Sequence, residues 1–233
     1  MKNSILLISC LIFATGIFLS CSDDNGTDPN DQTGDVFPMA VGNYWVTQME
    51  QFDSLGNTTD VDTSRVTIVG TRDMGGTSYY VAVDSMEEVD TVFYRKGSDG
   101  YYALIPDSGD ADTLELTLMP IPYSVGETWN LMEPVDSSGG GMSYSFTYTG
   151  EITGETSLST PAGDFDNALI VDYIIDISTV YVDTMSGDTL YQMADVDTNR
   201  NYMVPDVGPV GTDSWHDNGE LSDRDRLLEF DLQ

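Results

Sequence analysis

The chain has 233 residues with 8 basic and 40 acidic side chains, and its formal net charge at neutral pH is −32. A charge of this sign repels nucleic acids and anionic lipid headgroups, so neither is expected as a direct partner. The only cysteines are Cys10 and Cys21, which leaves the rest of the chain without a disulfide, a cysteine-ligated metal or a catalytic thiol.

The first predicted element is an apolar run from Ile5 to Leu19 that follows the basic Lys2. It has the length of a signal-peptide core and is short for a helix that crosses a bilayer. The run ends in "FLSC", which resembles the lipobox of bacterial lipoproteins, where the cysteine is lipidated and becomes the first residue after cleavage. We therefore predict a lipoprotein signal peptide over residues 1–20 and a lipid on Cys21 that holds the protein to a membrane. An ordinary cleaved signal peptide and a buried apolar strand are the alternatives.

The next segment, residues 21–35, continues after the cysteine as "SDDNGTDPNDQTGD" without an apolar side chain. Such a segment cannot bury surface, so it is predicted to be a disordered acidic tether. Its start, "CSDDNG", is similar to the acidic signal that sends lipoproteins of Bacteroidetes-type bacteria to the outer face of the outer membrane. We expect anchoring in the outer membrane. Its surface and periplasmic faces both stay open, because a plain solvated tether has the same composition.

Residues 36–233 have the pattern of short β-strands almost throughout. Runs rich in Val, Thr, Tyr and Ile are bounded by Gly, Asp, Ser or Pro, as in "RVTIVG", "SYYVAV" and "TLELTL". No segment has helical periodicity with caps at both ends. Because a sheet of about 10 to 13 strands must curl, we predict an all-β domain built from a single antiparallel sheet. The sheet should form a half-barrel or open barrel, with a β-sandwich as the alternative.

A repeated frame, Pro-x-x-Val-Gly-x-x-Trp, occurs as "PMAVGNYW" and again as "PYSVGETW". In each copy the glycine permits a tight turn, and a strand that carries the tryptophan then begins. The third tryptophan follows another Val-Gly pair, one residue further along. We predict three such turns and an internal pseudo-repeat with halves of about 36–118 and 119–233. The predicted structural anchors are Gly42, Trp45, Gly126, Trp129, Gly211 and Trp215.

Three segments in order resemble a group of Bacteroidetes-type lipoproteins: "VFPMAVGNYWVTQM", "LSTPAGDFDNALIVDY" and "YMVPDVGPVG … ELSDRDRLLEFDL". The group is marked by a Phe-Pro-x-x-Val-Gly-Asn-x-Trp opening, a Pro-Ala-Gly-x-Phe-x-Asn centre and a Pro-x-Val-Gly close. The resemblance implies an antiparallel sheet curled into an open or half-closed barrel, and it implies no activity. The chain departs from the group at "GTDSWHDNG", where the group has a strand.

Catalytic chemistry has little support in the sequence. His216 is the single histidine, no Gly-x-Ser-x-Gly frame is present, and one histidine does not make a zinc site. Glycoside hydrolysis needs two carboxyl groups about 5 to 9.5 Å apart. The candidates for this role cannot be ranked from the sequence: Glu87, Glu88, Glu115, Glu127, Glu151 and Glu155. We predict that the protein is not an enzyme, with a glycan-directed hydrolase as an open alternative.

Two oxygen-rich segments are candidates for weak calcium binding, and no other cofactor is expected. "DVDTNRNYMVPD" has the spacing of an EF-hand loop, but Arg200 occupies the position that needs glycine, so an EF-hand is rejected. "DSGDADT" is the second segment, and solvated turns are the alternative for both. The candidate ligands are Asp195, Asp197, Asn199, Asp107, Asp110 and Asp112.

Two adjacent tyrosine pairs, Tyr79–Tyr80 and Tyr101–Tyr102, should each place one ring outward or into a concavity, because side chains alternate along a strand. Such rings are candidates for contact with a sugar or an apolar ligand, and plain cover of the sheet is the alternative. We predict a lipid-anchored cell-envelope module that binds a glycan or an envelope protein, or is structural, without catalysis. A half-barrel carrier of lipid or lipoprotein is the alternative. It is disfavoured because its inward positions should be uniformly aliphatic, whereas these strands mix Leu and Ile with Tyr, Thr and Ser.

Overall fold

A computed structural model of the protein describes residues 34–85, 91–106, 113–216 and 218–233. The predicted signal peptide, Cys21 and most of the predicted tether lie outside these residues. Residues 32–233 form one compact unit. The described chain forms thirteen strands: β1 (Tyr44–Phe52), β2 (Thr58–Met74), β3 (Thr77–Asp84), β4 (Thr91–Lys96), β5 (Gly100–Pro106), β6 (Thr113–Pro120), β7 (Thr128–Asn130), β8 (Val135–Gly139), β9 (Met142–Thr160), β10 (Gly163–Val182), β11 (Thr189–Val204), β12 (Gly208–Trp215) and β13 (Leu221–Asp231).

All the described strands belong to one antiparallel sheet. Its order is β6-β5-β4-β3-β2-β1-β13-β12-β11-β10-β9-β7, and β8 pairs with β9. The pairing of β1 with β13 joins the two ends of the chain, and every other pair is formed by strands that are near in sequence. The prediction of an all-β fold with a single curled sheet is confirmed. The β-sandwich alternative is wrong. Among the described residues, no helix has the length and apolarity that a membrane crossing requires.

The sheet curls until its first and last strands approach each other across a seam. Thr117 N of β6 donates to Leu131 O, just beyond β7, at 2.8 Å. The indole Nε1 of Trp129 donates to Thr117 O at 3.0 Å. No strand ladder joins β6 to β7 in the described residues, so the barrel is nearly closed and these contacts cross its unsealed seam.

Both copies of the repeated frame form the same turn. Gly42 has a φ of 102° and Gly126 a φ of 89°, values at which a side chain is disfavoured and which fit the third position of a type II turn. Gly42 N donates to Ile68 O at 2.8 Å, and Gly126 N donates to Ile152 O at 2.7 Å. In each copy the isoleucine N donates back to the residue after the glycine, at 2.9 and 3.0 Å. The frame therefore docks each turn on a neighbouring strand through a matched pair of hydrogen bonds.

The tryptophans of the two frames are held in the same way. Trp45 is buried, and its Nε1 donates to Val207 O at 2.7 Å. A Cβ at Gly208 would lie 3.0 Å from the Trp45 Nε1. Trp129 likewise donates to a backbone carbonyl and lies against Gly150. Each ring thus needs a glycine beneath it and a carbonyl at its edge.

The third predicted turn is wrong. Gly211 lies inside β12 and not in a turn, opposite Tyr202 and Arg226. A Cβ there would lie 2.9 Å from Asp225 O, so close backbone approach explains the glycine. Trp215 ends the same strand, half-buried, with the Arg200 guanidinium 5.4 Å from its ring. The strand that the resembling lipoproteins have here is therefore present through Trp215.

The chain before β1 is held inside the curl of the sheet. Val36 is fully buried and packs with Tyr101. Asp35 accepts a hydrogen bond from the Tyr101 hydroxyl at 2.8 Å and lies 3.0 Å from Lys96 Nζ. Asp206 N donates to Asp35 O at 2.7 Å. Described contacts therefore begin before residue 36, the predicted start of the domain, through the hydrogen bonds and ion pair of Asp35.

Candidate ligand-binding cavity

The inner face of the curled sheet lines a partly open cavity of about 550 Å³. One wall comes from β4, β5 and β6, and the other from β10, β11 and β12. The two walls are not adjacent in the sheet, so only the curvature of the sheet brings them face to face. The lining consists of Phe37, Thr91, Val92, Tyr94, Ala103, Leu104, Leu116, Leu118, Tyr173, Asn201, Met203 and Pro209.

The apolar lining follows from strand alternation. Leu116 and Leu118 of "TLELTL" line the cavity, while Glu115 between them bonds to the outward-facing Tyr79. On β10, Tyr173 lines the cavity and its neighbour Asp172 points to the other face. Apart from Thr91 and Asn201, every lining residue is apolar or aromatic. The inward positions are mostly apolar but not uniformly aliphatic, since Thr91, Tyr94, Tyr173 and Asn201 also line the cavity.

Two tyrosines shape the cavity. The Tyr173 hydroxyl donates to Leu118 O at 3.1 Å, which ties β10 to β6 across the interior. Tyr94 stacks on Phe37 with ring centroids 6.2 Å apart. A second cavity of about 130 Å³ shares Phe37, Tyr94 and Pro209 with the first. Burial raises the pKa of both tyrosines, so each is a neutral phenol near neutral pH.

The apolar lining gives way to polar groups at Asn201. Asn201 lies opposite Thr212 on β12, and the Thr212 hydroxyl donates to its side chain at 3.2 Å. Thr212 lies opposite Asp225 on β13. Asp225 lies opposite Met49, which lies opposite Asp62 on β2. Directly opposite residues share a face of the sheet, so Asp62 and Asp225 lie on the cavity side.

The next row of cross-strand partners on the cavity side is also polar and acidic. Asn199 and Ser214 lie opposite each other, as do Ser214 and Asp223. Asp223 lies opposite Gln51, which lies opposite Asp60. We call Asp60, Asp62, Asp223 and Asp225 the inner acidic wall. It continues the cavity side of the sheet toward solvent beyond the last apolar lining residues, because Asp60, Asp62 and Asp223 are exposed and Asp225 is half-buried.

Asp225 of the inner acidic wall has a raised pKa. Burial, and next the charge of Asp223, raises its pKa to about 6, against a smaller lowering by Arg226. Arg226 follows Asp225 on the strand and so points to the opposite face. In the part of the chain that the structure describes, the residues directly opposite Asp225 on the cavity side are Met49 and Thr212, and neither is a cation.

The four predicted ligand tyrosines alternate between the two faces and none of them lines the cavity. Tyr79 is buried on the outer side, where its hydroxyl donates to Glu115 at 2.7 Å. Tyr102 lies under the Arg95 guanidinium, 3.7 Å from the ring centroid. Tyr80 and Tyr101 pack in the interior core. The aromatic residues that line the cavity are Phe37, Tyr94 and Tyr173, and no local pattern in the sequence marks them.

The candidate catalytic groups are dispersed. Glu115 is engaged by the Arg95 guanidinium at 2.8 and 2.7 Å, which lowers its pKa. Glu127 accepts from Ser124 N in the turn of the second frame. Glu151 lies opposite Asp172, and Glu155 lies opposite Leu169. Glu87 and Glu88 lie outside the described residues.

His216 is in the turn between β12 and β13, where its backbone N donates to Glu220 O at 2.8 Å. Its Nε2 lies 3.2 Å from Phe52 O. Asp217 lies outside the described residues. The described surroundings of His216 are therefore those of a histidine that ties one hairpin to another.

The first candidate calcium segment is not a loop. Asp195, Asp197 and Asn199 lie within β11, opposite Ile177, Ile175 and Tyr173. Alternate residues of an extended strand are about 6.6 Å apart, too far for three ligands of one ion at about 2.4 Å. No group of three or more acidic, histidine or cysteine side chains is placed to hold a metal among the described residues. Asp107, Asp110 and Asp112 lie outside those residues.

The outer face carries a separate row of paired charges. Asp172, Arg200, Asp213 and Arg224 lie opposite one another in turn on β10 to β13. Arg200 Nε and Nη2 donate to Asp172 at 2.7 and 2.8 Å, and Arg226 Nη2 lies 2.9 Å from Asp213 Oδ1. The Arg200–Asp172 pair is fork-shaped, a strong and directional geometry, whereas Arg226 contacts Asp213 through Nη2 alone. The two pairs account for two acids that are buried on the outside of the barrel.

No protein-family model matches the chain, and no curated protein matches it at a significant level. Two solved structures are similar. A candidate lipoprotein from Parabacteroides distasonis has 17% sequence identity and a TM-score of 0.51, over 86% of this chain and 100% of that one. A candidate exported protein from Bacteroides fragilis, with a YmcC-like fold, has 13% identity and a TM-score of 0.48, over 85% and 100%. At 17% identity, the similarity to the Parabacteroides distasonis protein shows a shared fold alone.

Proposed function

We propose that this protein is a lipid-anchored lipoprotein of the cell envelope that binds an apolar ligand inside its curled sheet without catalysing a reaction. The observation that carries the proposal is the cavity of about 550 Å³ with its almost wholly apolar lining. Ligand sites in proteins have volumes of roughly 300–1,000 Å³ and are mostly apolar with a few placed polar groups. The likeness in fold to a candidate lipoprotein and the lipobox-like "FLSC" support the envelope location.

Of the two binding functions, the apolar cavity favours a carrier of lipid or lipoprotein over a protein that binds glycans on its surface. A carrier needs a route into its interior as well as an apolar lining. The seam supplies one, because β6 and β7 are joined by a few bonds and not by a strand ladder. The glycan-directed hydrolase has less support, since the described candidate carboxylates are dispersed among a turn, an ion pair and two faces of β9.

Filling the cavity is expected to weaken binding of an apolar probe. Ala103 is buried, with 4% of its surface exposed, and it lines the cavity. In residues 32–233, Ala103→Trp should reduce the affinity for the neutral fluorophore N-phenyl-1-naphthylamine by about tenfold, a loss of about 1.4 kcal/mol. Fluorescence titration of each variant with the fluorophore measures the change in affinity.

Tyr102→Trp on the outer face of the same strand is the matched control and should leave the affinity unchanged. Val92→Phe is the second cavity variant, for use if Ala103→Trp does not fold by circular dichroism. Wild-type affinity in both folded cavity variants would contradict the proposal.

Lipidation is expected at Cys21 and nowhere else. Cells that express the full chain and are fed labelled palmitate should incorporate it into the wild-type protein, and Cys21→Ala should abolish the label. The other lipobox-like frame, "LISC", ends at Cys10 and would leave a short apolar core, so Cys10→Ala should keep the label. Label retained in Cys21→Ala would show that the predicted anchor is wrong.

A further inference from the structure

The charges around the cavity are sorted by face. Of the 8 basic residues, Lys2 lies outside the described residues, and the other seven each lie over an aromatic ring. Strand alternation puts all six arginines on the outer face: Arg95 follows the cavity-lining Tyr94, Arg200 precedes Asn201, and the others follow the same rule. The inward Lys96 is paired with Asp35. In the described residues, the interior beyond the apolar lining therefore presents acids without a facing arginine.

The inner acidic wall is continuous with the cavity and not a separate surface cluster. Asn201 lines the cavity and is bonded to Thr212, which lies opposite Asp225. On the far side, Thr47 lines the smaller cavity, and Met49 follows it two residues later on the same face. Met49 lies between Asp225 and Asp62 in the same cross-strand row. A ligand that fills the apolar cavity and extends past Asn201 would meet carboxylates next.

We infer that the ligand of this cavity is an amphiphile with a positively charged head group, whose apolar tail occupies the cavity and whose head lies against Asp62 and Asp225. The inference rests on the proposed function, and charge complementarity selects the class of ligand. A cation at this position offsets the repulsion between Asp225 and Asp223, whereas an anionic head group adds a like charge in a partly desolvated site. Fatty acids and anionic lipids are therefore disfavoured as ligands.

Head-group charge can be tested with two probes that share one tail. In residues 32–233, dodecyltrimethylammonium and dodecyl sulfate, both below their micelle concentrations, compete with bound N-phenyl-1-naphthylamine. The cationic probe should displace the fluorophore at a concentration about tenfold lower than the anionic one, the equivalent of about 1.4 kcal/mol. Equal displacement by the two probes would overturn the inference.

The general negative charge of the protein would also favour a cation, so the test needs variants of matched charge. Asp62→Asn/Asp225→Asn removes two inner carboxylates and should reduce the preference to under about threefold, since the local Coulomb attraction is lost. Glu133→Gln/Asp166→Asn removes two carboxylates that are exposed, as Asp62 is, but lie outside the inner acidic wall, and it should leave the preference unchanged. An unchanged preference in the inner variant assigns it to overall charge and overturns the inference. If the neutral fluorophore does not bind, or if its affinity is unchanged by Ala103→Trp, the proposed function itself is contradicted.

The preference should also depend on pH. With a pKa raised to about 6, Asp225 is a carboxylate at pH 8 and mostly a neutral acid at pH 5. The preference for the cationic probe should therefore fall as the pH drops through 6, and Asp225→Asn should flatten this change. The charged groups around Asp225 are Asp223 on its own strand, Asp62 on β2 beyond Met49, and Arg226 and Asp213 toward the outer face. A wild-type preference that is constant from pH 8 to pH 5 would contradict the assignment of Asp225 to the head group.

Discussion

Replacing Trp45 by alanine is expected to lower the free energy of unfolding by about 3–5 kcal/mol, the range for large aromatic side chains removed from a core. Trp45 has 7% of its surface exposed and lies in the core cluster with Ile68 and Leu227. The variant also leaves Val207 O without its indole donor at 2.7 Å. Urea unfolding followed by far-ultraviolet circular dichroism measures the change.

Two further variants separate the contributions at this site. Trp45→Phe keeps much of the ring and removes the donor, and the partly buried Val207 carbonyl without this partner should cost about 1 kcal/mol, the lower end of the range for buried groups. Trp215→Ala is the matched control, because Trp215 is half-buried on the outer face and its contact with Arg200 is worth about 0.5–1 kcal/mol. If Trp45→Ala costs no more than Trp215→Ala, the frame does not anchor the core.

Adding one methyl group at Gly150 is expected to destabilise the protein by about 2–3 kcal/mol, as overpacking does, and to open the seam. A Cβ there would lie 2.9 Å from Cη2 of Trp129 and closer still to Cζ2 and Cε2. The ring would have to leave its place, which breaks its hydrogen bond to Thr117 O and its edge contact with Tyr173, whose centroid is 6.4 Å away. Hydrogen exchange at the Thr117 amide, which crosses the seam to Leu131 O, should accelerate together with the loss of stability.

Gly154→Ala on the same strand is the control, since a Cβ there meets nothing within 4 Å. It should be neutral or stabilising by up to about 1 kcal/mol through the unfolded chain. Gly150→Ala combined with Trp129→Leu should cost less than the sum of the single variants, because the shorter side chain makes room for the methyl group. If Gly150→Ala and Gly154→Ala behave alike, Trp129 does not close the seam.

Much of the local structure could be predicted from the sequence because strand alternation is a property of adjacent residues. "TLELTL" placed its leucines on one face, and Leu116 and Leu118 do line the cavity. The repeated frame predicted two turns with glycines at positive φ, and Gly42 and Gly126 have them. The same reasoning failed at Gly211, since a Val-Gly pair does not distinguish a turn from a close approach of two strands.

The cavity could not be predicted, because its walls are distant in the chain and in the sheet. Tyr94 on β4 and Tyr173 on β10 line the same cavity only because β1 pairs with β13 and the sheet then curls until β6 approaches β7. The predicted ligand tyrosines were chosen as adjacent pairs, and alternation spreads such pairs over both faces. No local pattern marks which inward residue will face an open volume.

The sequence by itself determined the all-β class, the two faces of each strand and the two docking turns, since each depends on a few neighbouring residues. Only the tertiary structure decided that the inward faces line an apolar cavity, that its far end is acidic, and that the arginines lie outside on aromatic rings. These features depend on register between strands from opposite ends of the chain, such as Met49 between Asp62 and Asp225. A shift of one residue in that register would exchange the faces, so long-range pairing and not composition places the charges.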